Sequence, residues 1–308
     1  MSRDRRRMFA RLGLSTCVAL MLGLASAASA SAAATIGHQI QGSDSPVFCL
    51  NGQDDNTEFI QPTVTSGPGY VVPAGGVAIT SWSLGAISDP NQRVKLKVWR
   101  KVGEPATYQV VAHDGPRTLV GGVNTFPVNV AVQPGDLIGM TVVLGSADTV
   151  CMVDSPGNSV ITPDVFGDFD DGQTAAFNPS NPFPDATLNL SAIVALKASN
   201  EFEITKVKKN KNRGTAVLTV DVPGPGQLSL TGKGVKTQRA GATISKDVDA
   251  AGKATLKVKA KGAKKQKLLS TGKVKVKAKV TFKPSAGGGA DLPGDPNTEP
   301  KKIKLIDK

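Results

Sequence analysis

Lys273-Val274-Lys275-Val276-Lys277-Ala278-Lys279-Val280 alternates charged and apolar residues without a break. Side chains two apart share one face of a strand. This stretch therefore predicts a strand with its apolar side inward and four ammonium groups toward water. Lys253-Ala254-Thr255-Leu256-Lys257-Val258-Lys259-Ala260 repeats the pattern almost as strictly. Further strands are expected at Phe202–Val207, Thr215–Val222, Gln227–Thr231, Ala242–Val248 and Lys301–Asp307.

About seven short strands within residues 201–308 match the size of an immunoglobulin-like or fibronectin-like sandwich. A short helix is expected at Ala263–Leu269, ended by Gly272. Lys208–Gly214 reads as a polar hairpin loop. Residues 284–300, with Gly287-Gly288-Gly289 and four prolines, read as a mobile loop before the last strand.

The lysines of these strands belong to a wider division of charge. Residues 1–34 carry a net +4, residues 35–200 a net −8 and residues 201–308 a net +16, within an overall +12. So abrupt a shift predicts two domains, 35–200 and 201–308, meeting near Lys197-Ala198-Ser199-Asn200. Each is long enough to bury a core of its own.

The acidic first domain also reads as all-β. Val94-Lys95-Leu96-Lys97-Val98 and Val128-Asn129-Val130-Ala131-Val132 alternate, and Thr187–Leu196 reads as a buried closing strand. Gly67-Pro68-Gly69, Pro73-Ala74-Gly75-Gly76, Gly121-Gly122 and Gln133-Pro134-Gly135-Asp136 supply turn chemistry between strands. The expected architecture is a jelly-roll-like sandwich.

Residues 1–34 have the order of a secretory signal peptide. Arg3, Arg5, Arg6, Arg7 and Arg11 form a basic head, an uncharged run from Leu12 to about Ala25 follows, and small residues fill Ser26–Ala34. The apolar run is shorter than the roughly 20 residues that span a bilayer. Cleavage is expected between Ala30 and Thr35, leaving no transmembrane segment. Arg6-Arg7-Met8-Phe9 also resembles a twin-arginine export signal, so the export route stays open. A secreted or cell-surface location follows. Cys17 leaves with the leader, and Cys49 and Cys151 are expected to pair in an oxidising compartment.

Val71-Val72-Pro73-Ala74-Gly75-Gly76, Ile79-Thr80-Ser81-Trp82-Ser83, His113-Asp114-Gly115-Pro116 and the Pro134-Gly135-Asp136 turn carry a resemblance. With them the chain resembles secreted actinobacterial two-domain β-sandwich proteins of unknown role that bear a Lys-rich, immunoglobulin-like C-terminal module. The likeness covers nearly all of the chain beyond the leader. Its motifs are structural, and it implies no active site to carry over.

Four features point toward chemistry. Asp164, Asp168, Asp170 and Asp171 beside Gly172 offer oxygen ligands for calcium, although the spacing differs from a helix–loop–helix calcium loop. The plainer reading is a solubilising turn. The same carboxylates are also a remote candidate for a glycosidase acid–base pair. His113 and Asp114 lack a nucleophile motif to complete a triad, and two histidines leave few ligands for zinc. Trp82 and Trp99 suit either a core or a sugar-stacking platform. Trp99 is the stronger glycan candidate because it shares a strand face with Lys95 and Lys97.

The lysine stripes are the fourth feature. Lys257, Lys259 and Lys261 share one face, as do Lys273, Lys275, Lys277 and Lys279. If the two strands are neighbours, one positive sheet face results, suited to anionic cell-wall polymers or acidic glycans. The plainer reading is a solubilised sheet with guarded edges. Nucleic acid is disfavoured because Phe202 and Phe282 are the only aromatics beyond residue 200. The expected function is that of an exported, non-enzymatic binding or structural protein without a cofactor, its basic module contacting anionic envelope polymers. The alternative is a carbohydrate-binding or weakly glycan-hydrolysing protein that uses the first domain.

Overall fold

The computed structural model describes residues 33–40, 44–49, 56–87, 91–146, 148–180, 182–239, 242–287 and 290–308. The expected leader lies outside the described residues except for its last two positions. The first described strand opens at Ala34.

The chain folds as an all-β protein of sandwich type, as the alternation predicts, and its paired strands are antiparallel. In the first half these are β1 (Ala34–His38), β2 (Pro46–Cys49), β3 (Thr57–Ile60), β4 (Gly76–Ala86), β5 (Arg93–Gly103) and β6 (Thr107–Thr118). There follow β7 (Gly122–Ala131), β8 (Leu137–Val142), β9 (Thr149–Val160), β10 (Thr174–Ala176), β11 (Phe183–Leu188) and β12 (Leu190–Leu196). They form sheets in the orders β1-β12-β4-β7, β10-β6-β5-β8-β3 and β11-β9-β2. One apolar cluster, from Ile36 to Val194, fills the space between them.

The expected closing strand Thr187–Leu196 divides at Asn189, where the chain passes from the three-stranded sheet to the four-stranded one. The Asn189 side chain is buried with all its hydrogen bonds made. Its Oδ1 accepts from the Ile40 and Gly85 amides, and its Nδ2 donates to the Gly85 and Val150 carbonyls. A change of sheet frees backbone groups in the interior, and this one amide satisfies four of them. The disulfide Cys49–Cys151 joins the β2 end to β9 over a sequence separation of 102, with Cα atoms 5.7 Å apart. The Pro134-Gly135-Asp136 turn is structural. The buried Asp136 carboxylate accepts from the Gln133 amide and from both Arg100 guanidinium nitrogens used, at 2.7–2.8 Å.

The second half contains β13 (Glu203–Asn210), β14 (Thr215–Val222), β15 (Gly226–Lys233), the short pair β16 (Gln238–Arg239) and β17 (Ala242–Thr243), and β18 (Ser245–Val248). It continues with β19 (Gly252–Lys259), α1 (Ala263–Thr271), β20 (Lys273–Pro284) and β21 (Asn297–Ile306). A sheet β13-β14-β19 and a sheet β18-β15-β20-β21 enclose a second apolar cluster, from Phe202 to Leu305. Along β20, Val274, Val276, Ala278, Val280 and Phe282 are buried while Lys273, Lys275, Lys277 and Lys279 are exposed. Fully burying one such apolar side chain is worth about 1.5–3 kcal/mol, which fixes the register against a one-residue slip. Helix α1 ends at Gly272 in the left-handed conformation (φ 63°), and Leu268 is its buried anchor. Gly214, also at positive φ, lets the β13–β14 turn approach Leu268, since a Cβ there would lie 2.7 Å from Leu268 Cδ2.

The loop before β21 is tied to the linker between the halves, contrary to the expectation of a mobile segment. Leu196 and Ala198 exchange hydrogen bonds with Asp291 and Leu292, and Lys197 Nζ lies 2.8 Å from Asp295 Oδ2. The expected domain boundary thus gains partners from a segment nearly one hundred positions later. Gly288 and Gly289 lie outside the described residues.

Candidate functional site

Asp168, Asp170 and Asp171 lie on the loop between β9 and β10, which crosses the outer face of the five-stranded sheet. Lys95 and Lys97 rise from that face on β5, and both ammonium groups donate to Asp168. Lys97, only 1% exposed, also donates to the Phe169 carbonyl and stands 3.7 Å from the fully buried Glu58 carboxylate. Glu58 accepts from Thr141 Oγ1 at 2.6 Å. Burial pushes the Glu58 carboxyl up to about 7, against the opposing pull of Lys97 and Thr141. Burial also works to raise the Asp168 carboxyl. Hydrogen bonds and charge from Lys95 and Lys97 outweigh it and hold the group below its ordinary value. His113 Nδ1 pairs with Asp171 Oδ1 at 2.7 Å, so the loop is held on two sides.

This geometry corrects the calcium expectation. Asp168 turns inward to two lysines and Asp171 outward to His113, while the Asp164 amide donates to the Ala176 carbonyl and the Asp170 amide to Gln173 Oε1. Among the described residues, no three His, Cys, Asp or Glu side chains group to hold a metal ion. At Asp168 the positive charge is supplied by Lys95 and Lys97. His113 and Asp114 do not act as a pair either. Asp114 accepts instead from Arg117 and from Trp82 Nε1.

The glycan platform expected at Trp99 is likewise corrected. Trp99 is 0% exposed, with Phe169 and Phe177 packed edge-on at 6.1 and 5.1 Å, so it has no open face for a sugar ring. The strand pattern placed it on the polar side of β5 with Lys95 and Lys97. The acidic loop then covers that side, and Phe169 and Phe177 join Trp99 to the first-half apolar cluster. Trp82 is also buried, tilted against Phe126 at 4.7 Å.

The two lysine stripes do not form one surface. Lys257 and Lys259 lie on β19 in the three-stranded sheet, with Lys261 just beyond it. Lys273, Lys275, Lys277 and Lys279 lie on β20 in the four-stranded sheet. Strands consecutive in sequence are here divided between the two sheets, because α1 carries the chain from one to the other. The β20 stripe gains neighbours that the sequence reading missed. Lys275 pairs in register with Lys304 of β21, and Lys277 lies between Lys233 of β15 and Lys302 of β21. The signal was present in Lys302-Ile303-Lys304-Leu305, which alternates like its partner.

The ion pairs among the described residues divide unequally between the halves. Those formed wholly within one half all lie in the first, and the remaining one joins Lys197 to Asp295. Among the described residues, no lysine of the second half is paired with a carboxylate. Three lysines abreast across adjacent strands repel one another, which costs a few tenths of a kcal/mol or more per pair. β20 lies inside its sheet, between β15 and β21, so guarding an edge does not explain its charges.

The chain matches no protein-family model and no curated protein sequence. Among solved structures it is compared with a GH2 beta-galacturonidase from Eisenbergiella tayi, bound to galacturonate, at 8% identity and a TM-score of 0.20. The alignment covers 87% of this chain and spans 44% of the length of that one. A likeness at that score carries no argument about activity. No helix among the described residues is long and apolar enough to cross a membrane.

Proposed function

We propose that this chain is an exported, non-enzymatic binding protein of two sandwich domains, residues 35–200 and 201–308. Its basic second domain attaches it to anionic polymers of the cell envelope. The second domain is read as immunoglobulin-like. Leaving the short β16–β17 pair aside, its seven strands run 1-2-5 in one sheet and 4-3-6-7 in the other. The acidic, disulfide-stapled first domain presents a partner or ligand away from the attachment face. The resemblance to secreted actinobacterial proteins belongs to this reading, as does export itself.

The observation that carries the proposal is the row Lys233–Lys277–Lys302 on the four-stranded sheet, unpaired and flanked by Lys275 and Lys304. Such a row is unfavourable in the isolated protein and becomes favourable against a polyanion, which replaces the missing countercharge. The burial of both tryptophans withdraws the aromatic platform from the carbohydrate alternative.

Retention of the exported protein on purified cell walls tests the proposal. Binding is expected near physiological salt and is expected to vanish at about 0.5 M, where the Debye length is only a few ångströms. Retention that survives high salt and is competed by neutral polysaccharide would overturn it.

A further inference from the structure

The lysine row continues into a groove between α1 and the paired ends of β20 and β21. Its lining is Lys264 and Lys267 from the helix, Lys273, Val274 and Lys275 from β20, and Lys304 from β21. Five of the six lining residues are lysines, and none is acidic. The groove is a consequence of the fold. Gly272 ends the helix in the left-handed conformation and β20 starts at the next residue, so Lys264 and Lys267 of the helix share the groove with Lys273 and Lys275. At the other side, Gly234 (φ +79) passes so close to the Lys264 stem that a Cβ would lie 2.4 Å from Lys264 Cγ. That contact holds Lys264 beside the chain end that carries Lys233, so groove and row form one continuous positive surface.

We infer that this groove is a seat for phosphate groups of a linear, phosphate-bearing polymer, which then runs across the Lys233–Lys277–Lys302 row. The inference rests on the attachment reading above and names its ligand class and its address. Three considerations fit a phosphate chain. The lining cations are all lysines, point charges that bind phosphate without needing the bidentate geometry that arginine brings to carboxylate and phosphate alike. Each phosphate within a linear chain carries one charge on two free oxygens, as a carboxylate does, but polyphosphate sets such a group at every repeat with no sugar ring between, so more of them reach the five ammonium groups at once. The groove also has no aromatic wall, which leaves nothing for a sugar ring or base to stack on.

The test uses the full exported chain and two probes, long-chain inorganic polyphosphate and polygalacturonate of matched length, at about 0.1 M salt. Two variants carry the same change of charge. Lys275→Glu/Lys304→Glu alters the groove, and Lys257→Glu/Lys259→Glu alters the opposite sheet. Polyphosphate is expected to bind at least about tenfold tighter than polygalacturonate, with the groove variant losing at least about tenfold and the opposite-face variant less than about threefold. Circular dichroism and melting verify folding. If the glutamates disturb the sheet, Lys275→Gln/Lys304→Gln is expected to show the same loss in smaller measure. Equal losses from the two faces, or tighter binding of polygalacturonate, would overturn the inference while leaving wall attachment standing. Failure of the unaltered chain to bind either polymer or cell walls would overturn both.

Discussion

The two halves of this protein use charge in opposite ways. In the first half, Lys95, Lys97, Arg100, Lys101 and Arg117 each meet a carboxylate, and Arg93 donates to the Leu144 carbonyl. In the second half the lysines of β20 face water, and among the described residues none of that half's lysines forms an ion pair with a carboxylate. Charge in the first half holds a loop onto a sheet. Charge in the second half is left over after the fold is complete. A charge enclosed by structure is read as part of the architecture, and a charge left open against its neighbours is read as a site.

That contrast can be broken most severely at the staple. Replacing Cys49 and Cys151 with Ser releases a loop with a sequence separation of 102, for which chain entropy gives roughly 4–5 kcal/mol. Denaturant unfolding is expected to show that loss in the first-half transition, with the second half unaffected. Next in size is Asp168→Ala. It leaves the buried Lys97 without its closest carboxylate, and breaking such a pair costs about 3 kcal/mol or more. A midpoint unchanged by Asp168→Ala would mean that the His113–Asp171 pair and the packing of Phe169 on Trp99 hold the loop without it.

The same cluster sets a pH dependence with a definite sign. Glu58 has a folded value near 7, above its ordinary 4.5. A raised folded value means that the folded state binds the proton more tightly. Its contribution is complete below pH 4.5 and is lost as pH rises through about 7. First-half stability is therefore expected to fall by about 2–3 kcal/mol between those limits. Asp168, held low, contributes in the opposite sense and only at the acid end, where protonation removes its bonds to lysine. Glu58→Gln keeps a partner for Thr141 and is expected to flatten the profile between pH 4.5 and 7. A profile of unchanged slope in that variant would remove Glu58 from the account.

The smallest effect sharpens the comparison best. Lys277→Glu is expected to raise stability by about 0.2–1 kcal/mol, because it relieves repulsion with Lys233 and Lys302 and creates cross-strand pairs. A surface lysine of no special placement would give no gain. Removing a charge thus weakens the first half and strengthens the second.

Much of the second half was legible in its letters, because a half-exposed strand with a period of two leaves little freedom. Lys273–Val280, Thr215–Val222 and the helix ended by Gly272 all fall where the pattern puts them. The partner of each strand was not legible, since period reports a face and not a neighbour. The β19 and β20 stripes were for that reason treated as possible neighbours, and α1 separates them into different sheets. In the first half the same alternation misled at Lys97 and Trp99. The pattern Val94–Val98 reads as one buried and one wet face, and the loop carrying Asp168 and Phe169 closes over the second. Lysines on one strand and aspartates seventy residues later were complementary signals, but nothing local shows that they meet. Asn189 was equally silent, because a single amide within an apolar run gives no sign that the strand changes sheets there.

The most direct test of the attachment claim is the salt dependence of binding to an anionic wall polymer, plotted as log affinity against log salt. An open lysine surface that releases several condensed ions is expected to give a steep negative slope, shallower by about two in Lys277→Glu/Lys302→Glu. A slope near zero, or one that the double variant leaves unchanged, would contradict the claim that these unpaired rows are the binding surface.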